Sequence, residues 1–471
     1  MKPTSRAFKS NASRALRDEP LKSALSGIKH GFVANRARAR ANLPEFEDLR
    51  DEARAVKEHA LAHLDLYLEA YEKKVQETGG QVHWAASAED ARAAILKICR
   101  DAGAKTVTKG KSMVGEEIAI NAYLENAGIT PVETDLGEYL IQLRHEPPSH
   151  IIAPAIHLTK DQVEADFRKA HTDLPSARTL EEPEQLVAEA RAILREKFLA
   201  ADVGITGANL LIAETGTSVI VTNEGNGDLT QCLPRVHIVI TSIEKVVPTL
   251  EDADTILRVL ARSATGQEFS TYTTLTTGPK REGDPDGPDE YHVVLLDNGR
   301  SEMLGGVFRD MLRCIRCGAC MNHCPVYGAV GGHAYGWVYP GPMGAVLTPS
   351  LIGVEEAGHL PNASTFCGRC EAVCPMRIPL PKMMRHWRER EFENGDTPTL
   401  YKLGLKLWAF AARRPAIYHR LTGIVSPLLS RLGRKGRFSS MPLAGGWTRY
   451  RDLPAPQGKT FQQRWRERDG Q

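Results

Sequence analysis

Seven of the chain's nine cysteines fall between Cys314 and Cys374, and their spacing constrains the fold more than any other feature. The first group reads Cys314-x2-Cys317-x2-Cys320-x3-Cys324-Pro325. That is the bacterial ferredoxin run, in which three thiolates on one tight loop reach three irons of a single cubane. The fourth, turned away by the following proline, ligates the other cluster. Gly318 permits the tight loop, and Ile315 and Val326 are placed to shield a cluster from water. Zinc ribbons use two C-x2-C pairs instead, so the spacing favours iron–sulfur.

The second group, Cys367-x2-Cys370-x3-Cys374-Pro375, supplies the last three positions of the same run. Its first position falls on Ser364. Crossed ligation then assigns Cys314, Cys317, Cys320 and Cys374 to one complete [4Fe–4S] cluster. Cys324, Cys367 and Cys370 are left for a second cluster, one thiolate short. Its fourth iron has Ser364, water, a histidine or a partner's group as candidate ligands, or is lost to leave a [3Fe–4S] centre. Cys99, on the apolar side of a helix, and Cys232, before a strand, read as ordinary buried cysteines.

The rest of the 471-residue chain is composed as a globular protein, 42% hydrophobic and 25% charged. No run approaches the roughly 18 apolar residues of a membrane span. The N-terminal stretch is basic but lacks the apolar segment of a secretory signal, so we expect a cytoplasmic location and no disulfides. Charge is uneven: residues 401–471 carry a balance of +12 and the other 400 residues −10. A basic tail on an acidic body is a candidate for peripheral contact with anionic lipid at the inner membrane face, or with an acidic partner.

Four regions follow from the pattern. Residues 1–78 comprise a basic, loosely ordered arm with a short helix, and one long amphipathic helix that ends at Gly79-Gly80. Residues 79–300 alternate strands and helices, the sign of a mostly parallel sheet covered by helices. QVHWA, AKTVT, ITPVE, SHIIAPA, VHIVIT and HVVLLDNG read as its strands, and GANLLIAETGTSVIVTN as an appended hairpin. Residues 301–390 hold the cysteines. Residues 391–471 form a basic segment with two amphipathic stretches, interrupted by Pro415 and Pro427.

The α/β region has neither a G-x-G-x-x-G fingerprint nor a G-x-x-x-x-G-K-[ST] loop, so a nicotinamide or nucleotide site of those kinds is not indicated. Lys109-Gly110-Lys111-Ser112 lies between a strand and a helix, where an anion can meet backbone N–H groups; a solvated turn with a helix cap is the plainer reading. Glu133, Asp135 and Glu138 read as a second polar edge, and Glu214, Thr215 and Thr217 as polar groups at the hairpin tip. Lys109, Lys111 and that tip together are the candidate carboxylate-binding residues.

The blocks KGKSMVGEEIAIN, ETDLGEYLIQLR, GANLLIAETGTSVIVTNEGN, CIRCGACMNHCPVYG and FCGRCEAVCP resemble the lactate utilization protein B family. The resemblance covers about residues 45–400 and implies a Rossmann-like lactate-utilization domain, similar to the coenzyme A transferase and sugar-phosphate isomerase superfamily. Beside it the resemblance implies a small helical ferredoxin-type domain with two [4Fe–4S] clusters. It carries Cys314, Cys317, Cys320 and Cys374 over to one cluster and Cys324, Cys367 and Cys370 to the other. It also implies a three-component complex with a cysteine-rich, glycolate-oxidase-like protein and a second lactate-utilization-domain protein. The first functional expectation is therefore an electron-transfer component in oxidation of L-lactate to pyruvate, with no role for NAD. A self-sufficient organic-acid oxidoreductase is the second. A sensing protein whose tail binds DNA or lipid is the third, and nucleic acid is not the expected partner.

Overall fold

The computed structural model describes residues 3–175, 177–395, 397, 399–442, 444–448 and 451–469. The chain divides into two units, 1–391 and 392–471.

Alternating apolar runs and capped helices build a parallel sheet in the first unit. Its strands are β1 (Gln81–Ala85), β2 (Thr106–Lys109), β3 (Thr130–Glu133), β4 (Val203–Gly207), β7 (Val236–Ser242) and β10 (Glu290–Leu296), in the order β1-β10-β7-β4-β2-β3. Every neighbouring pair is parallel. The central strand VHIVITS is buried throughout, because helices cover both faces. The helix Ala88–Asp101 starts at a capping box in which Ser87 and Asp90 satisfy each other's backbone N–H.

A second sheet holds β5 (Leu210–Ile212), β6 (Thr217–Thr222), β8 (Val246–Val247) and β9 (Tyr272–Thr276), in the order β8-β5-β6-β9. The β5–β6 hairpin therefore forms a separate sheet and is not appended to the first. Three strands of these sheets escaped the sequence pattern, β4, β8 and β9, as did the separate standing of the hairpin. β8 is two residues long, and β9 alternates without a strong apolar side.

Three other expectations are corrected. Residues 149–155, expected as a strand, form bends and turns. Pro147, Pro148 and Pro154 deny the segment ladder donors, and His150 instead accepts from the backbone N–H groups of Ile152 (3.0 Å) and Ala153 (3.2 Å). The expected long helix is two, Phe46–Ala62 and Leu64–Glu77, broken at His63. The N-terminal arm is helical over most of Ser5–Ala41, and Leu25, Ile28, Phe46 and Leu49 share one continuous apolar core with Met311, Ile315, Tyr327 and Met376 of the cysteine region. One close approach in this region requires glycine: a Cβ on Gly332 would lie 1.7 Å from the carbonyl oxygen of Ser149.

In the second unit, helices Thr399–Ala412 and Pro415–Leu432 dominate. Pro415 sits in the first turn, where no N–H is needed, whereas Pro427 lies inside the helix. Among the described residues no helix is long and apolar enough to cross a membrane.

Candidate functional site

The two cysteine loops share one backbone design. The residue before one cysteine of each loop, Cys317 or Cys367, has a positive φ (Arg316, 60°; Phe366, 54°), and so does the glycine after it (Gly318, 73°; Gly368, 76°). Two left-handed residues around one cysteine fold the chain tightly. A short helix follows each, Ala319–Asn322 and Arg369–Val373.

Cys314, Cys317, Cys320 and Cys374 line one cavity of about 20 Å³, walled by Ile315, Met343 and Ile378. Cys324, Cys367 and Cys370 line another of about 20 Å³ together with Ser364. Ser364 (φ −75°, ψ 137°) has nearly the backbone of Cys314 (φ −65°, ψ 119°), and its hydroxyl accepts from the Phe366 N–H at 3.1 Å.

Burial, reinforced by neighbouring thiols, pushes the Cys317 thiol up to about 12, and burial pushes Cys374 up to about 11. Buried thiols of this kind stay protonated unless a metal centre takes up the charge. Cys367 differs: it is exposed, and the Arg369 N–H holds its thiol below the usual range. Converging soft donors in small apolar cavities, with a backbone N–H directed at Cys324 Sγ (Tyr327, 3.5 Å), suit an iron–sulfur group.

Buried cations surround the first cavity. Arg36 donates to the Val373 carbonyl at 2.9 Å, and Arg50 donates to those of Ala372 (3.0 Å) and Cys374 (2.6 Å). Arg316, between two of the cysteines, pairs with Glu244 at 3.3 Å. Arg36 and Arg50 lie far away in sequence. The available signal was Arg50 in phase with the buried Leu49 and Ala53.

A much larger cavity, about 510 Å³, opens beyond the carboxyl ends of β2, β3, β4 and β7. Such a crevice is where open parallel sheets place ligands. Lys111, Asp135, Glu224, Asn226, Lys245 and Arg316 line it, with Ile220, Val221 and Leu260 as an apolar wall. Lys111 donates to the Ile152 carbonyl at 2.6 Å and lies 3.6 Å from Asp135.

The other residues expected to bind carboxylate are placed elsewhere. Lys109 is fully buried between Glu133 (2.9 Å) and Glu116 (3.0 Å). Glu214 accepts from the Leu250 N–H at 2.8 Å, satisfying a helix start, and Thr217 bonds to Thr215 (2.8 Å) and Thr277 (2.6 Å). Asp135 caps the helix Leu136–Arg144 from the cavity edge. Glu138 is buried near Glu133, and burial with that repulsion drives its carboxyl well above the usual range. Lys245, Arg316 and Asn226 were not foreseen, because only the fold brings them to one place.

Three family models match parts of the chain. A LUD-domain family model matches residues 68–296, a 4Fe-4S dicluster domain residues 310–378, and a C-terminal domain of lactate utilisation protein B residues 369–470. Lactate utilization protein B of Bacillus velezensis is 41% identical over 100% of this chain and 99% of its own length. The chain belongs to the lactate utilization protein B family. The Bacillus subtilis member is 41% identical over 100% of this chain and 98% of its own. An uncharacterized electron transport protein of Escherichia coli is 40% identical over 100% and 98%. The iron–sulfur character of the family agrees with the donor set: the dicluster match spans all seven clustered cysteines.

Proposed function

We propose that this family member is an iron–sulfur electron-transfer component acting in oxidation of L-lactate to pyruvate. The observation that carries the reading is the sorting of seven cysteines into a four-thiol cavity and a three-thiol cavity beside Ser364. In this reading Cys314, Cys317, Cys320 and Cys374 hold one [4Fe–4S] cluster. Cys324, Cys367 and Cys370 hold a second, with Ser364 next to its open position. Bound clusters of this type supply one-electron transfer at potentials set by burial, charge and hydrogen bonds.

The chain's own residues contribute the surroundings. Arg36, Arg50 and Arg316 place positive charge around the first site, offsetting thiolate charge in a low-dielectric interior. Ile315, Met343 and Ile378 exclude water from it. The second site is nearer the surface, since Cys367 is exposed, and suits exchange of electrons with a partner. The partners proposed are a cysteine-rich, glycolate-oxidase-like protein and a second lactate-utilization-domain protein. The basic C-terminal helices, with exposed Leu400, Leu407, Trp408 and Ile424, are the segment proposed to contact a partner or a lipid surface.

The test is anaerobic purification with iron and sulfide counts and EPR before and after reduction. About eight irons and eight sulfides with interacting reduced signals are expected. Zinc without sulfide overturns the reading. Deletion of the gene should abolish growth on L-lactate, and unimpaired growth without a paralogue removes the lactate assignment.

A further inference from the structure

The 510 Å³ cavity at the carboxyl ends of the parallel strands contains two polar groups that the protein itself leaves without partners. Lys245 is only 6% exposed, yet its ammonium makes neither a hydrogen bond nor an ion pair among the described residues. Asn226 is also 6% exposed, and its Oδ1 has no hydrogen-bond partner. Leaving such groups buried and unpaired costs free energy, so each points to a ligand group of complementary kind. An ammonium calls for an anion, and an amide oxygen for a hydroxyl donor.

The segment carrying Lys245 is fixed in place. Lys57, itself buried, donates to the carbonyls of Glu244 and Val246, at 3.3 Å for the latter. Glu244 is held by Arg300 (3.1 Å) and Arg316 (3.3 Å). Arg316 adds a second cation to the cavity lining and also sits between Cys314 and Cys317. Opposite in character are Ile220, Val221, Leu260, Ala261 and Ala264, an apolar wall with far more room than a three-carbon acid fills.

We propose that this cavity is a binding site for short-chain aliphatic 2-hydroxy monocarboxylates, with Lys245 and Arg316 taking the carboxylate and Asn226 the hydroxyl. The proposal rests on the lactate reading above and deepens it in two respects. It places the organic acid on this chain, next to the four-thiol cavity. It also sets the specificity wider than lactate, because the apolar wall rewards longer tails. Binding alone is proposed, and no chemical step.

The experiment is anaerobic titration calorimetry of the full-length protein with sodium L-lactate, 2-hydroxybutyrate, 2-hydroxyhexanoate, hexanoate and inorganic phosphate. Iron and sulfide are counted on the same preparation. Saturable binding of the hydroxy acids is expected, tightening roughly threefold to fourfold per added methylene. Lys245→Gln should weaken it roughly 10- to 100-fold, with Lys245→Arg restoring most of the loss. Asn226→Ala should weaken the hydroxy acids, but not hexanoate, by roughly twofold to tenfold. Ala264→Leu should block longer acids before lactate. Absence of saturable binding, an unchanged affinity in Lys245→Gln, or phosphate binding as tightly as the hydroxy acids overturns the proposal. A full iron and sulfide count in any of those cases leaves the electron-transfer reading standing, so the two fail separately.

Discussion

Glu117→Gln is the most informative perturbation, because that carboxylate joins the parallel sheet to the cysteine region. Its Oε1 accepts from Arg300 Nη1 at 3.0 Å, and Oε2 accepts from Arg300 Nη2 at 2.6 Å and from the Tyr339 hydroxyl at 2.7 Å. Asn298 donates a further bond at 2.7 Å. Both charged side chains are 0% exposed. Burial alone would raise the Glu117 carboxyl, but the charge and hydrogen bonds of Arg300 bring it below the usual range. The amide removes one charge while keeping the shape, so Arg300 is left with Glu244 alone, which it shares with Arg316. Breaking a buried pair costs about 3–5 kcal/mol, and retained acceptor bonds put this case near 3. The unit spans residues 1–391, and an unfolding entropy of about 2.1 cal/mol/K per residue makes the conversion roughly 1.2 °C per kcal/mol, so the melting midpoint should fall by about 4 °C. Calorimetry of anaerobic protein, with iron content monitored, measures it. Replacing both residues, Glu117→Met with Arg300→Met, should cost much less than the two single changes added together. A fall below about 2 °C, or simple additivity in the double variant, refutes the coupling.

Further outcomes are expected. Ser364→Cys should supply a fourth thiol to the second cavity, and after mild oxidation the iron count should stay near eight where the wild type drops to about seven. Arg50→Met removes a buried cation beside Cys374, so the potential of the more buried cluster should fall by tens of millivolts in an EPR-monitored titration; an unchanged potential refutes that role. His150 is held down to about 4 by burial. Its folded value lies below the unfolded one near 6.5, so its contribution is complete above pH 6.5 and is lost as pH falls toward 4. The loss reaches about 3 kcal/mol, and His150→Gln should flatten the stability–pH curve in that window. Gly332→Ala should destabilise by more than about 1 kcal/mol through collision with Ser149, visible as a lowered midpoint without a change in iron per folded molecule.

The parallel sheet was readable from β1, β2, β3, β7 and β10, because short β-prone runs next to capped helices leave a local pattern. The segment His150–Pro154 misled for the same reason in reverse. Its apolar run marks burial, and burial is equally available to a loop packed under the cysteine region. Lys109 and Lys111 stand two residues apart, yet one is locked between two glutamates and the other lines the cavity. Lys109 is the last residue of β2 and Lys111 lies beyond it in the turn before the next helix, so the end of the strand separates them, and nothing in either residue type does.

By itself, the sequence determined what depends on short spacings: the two cysteine loops with their paired left-handed residues, the helix caps, and the turn signals. Those interactions close within a few residues, so local composition suffices to specify them. Tertiary structure alone decided the large cavity. Its lining gathers Lys111 after β2, Asp135 after β3, Asn226 after β6, Lys245 after β7 and Arg316 from the cysteine loop. It also decided that Arg36 and Arg50, more than 300 residues before Val373 and Cys374 in sequence, hold the backbone beside the first thiol site. Strand order and helix docking set those neighbours through burial of apolar area, which is non-directional and leaves no trace in the spacing of the polar residues it brings together.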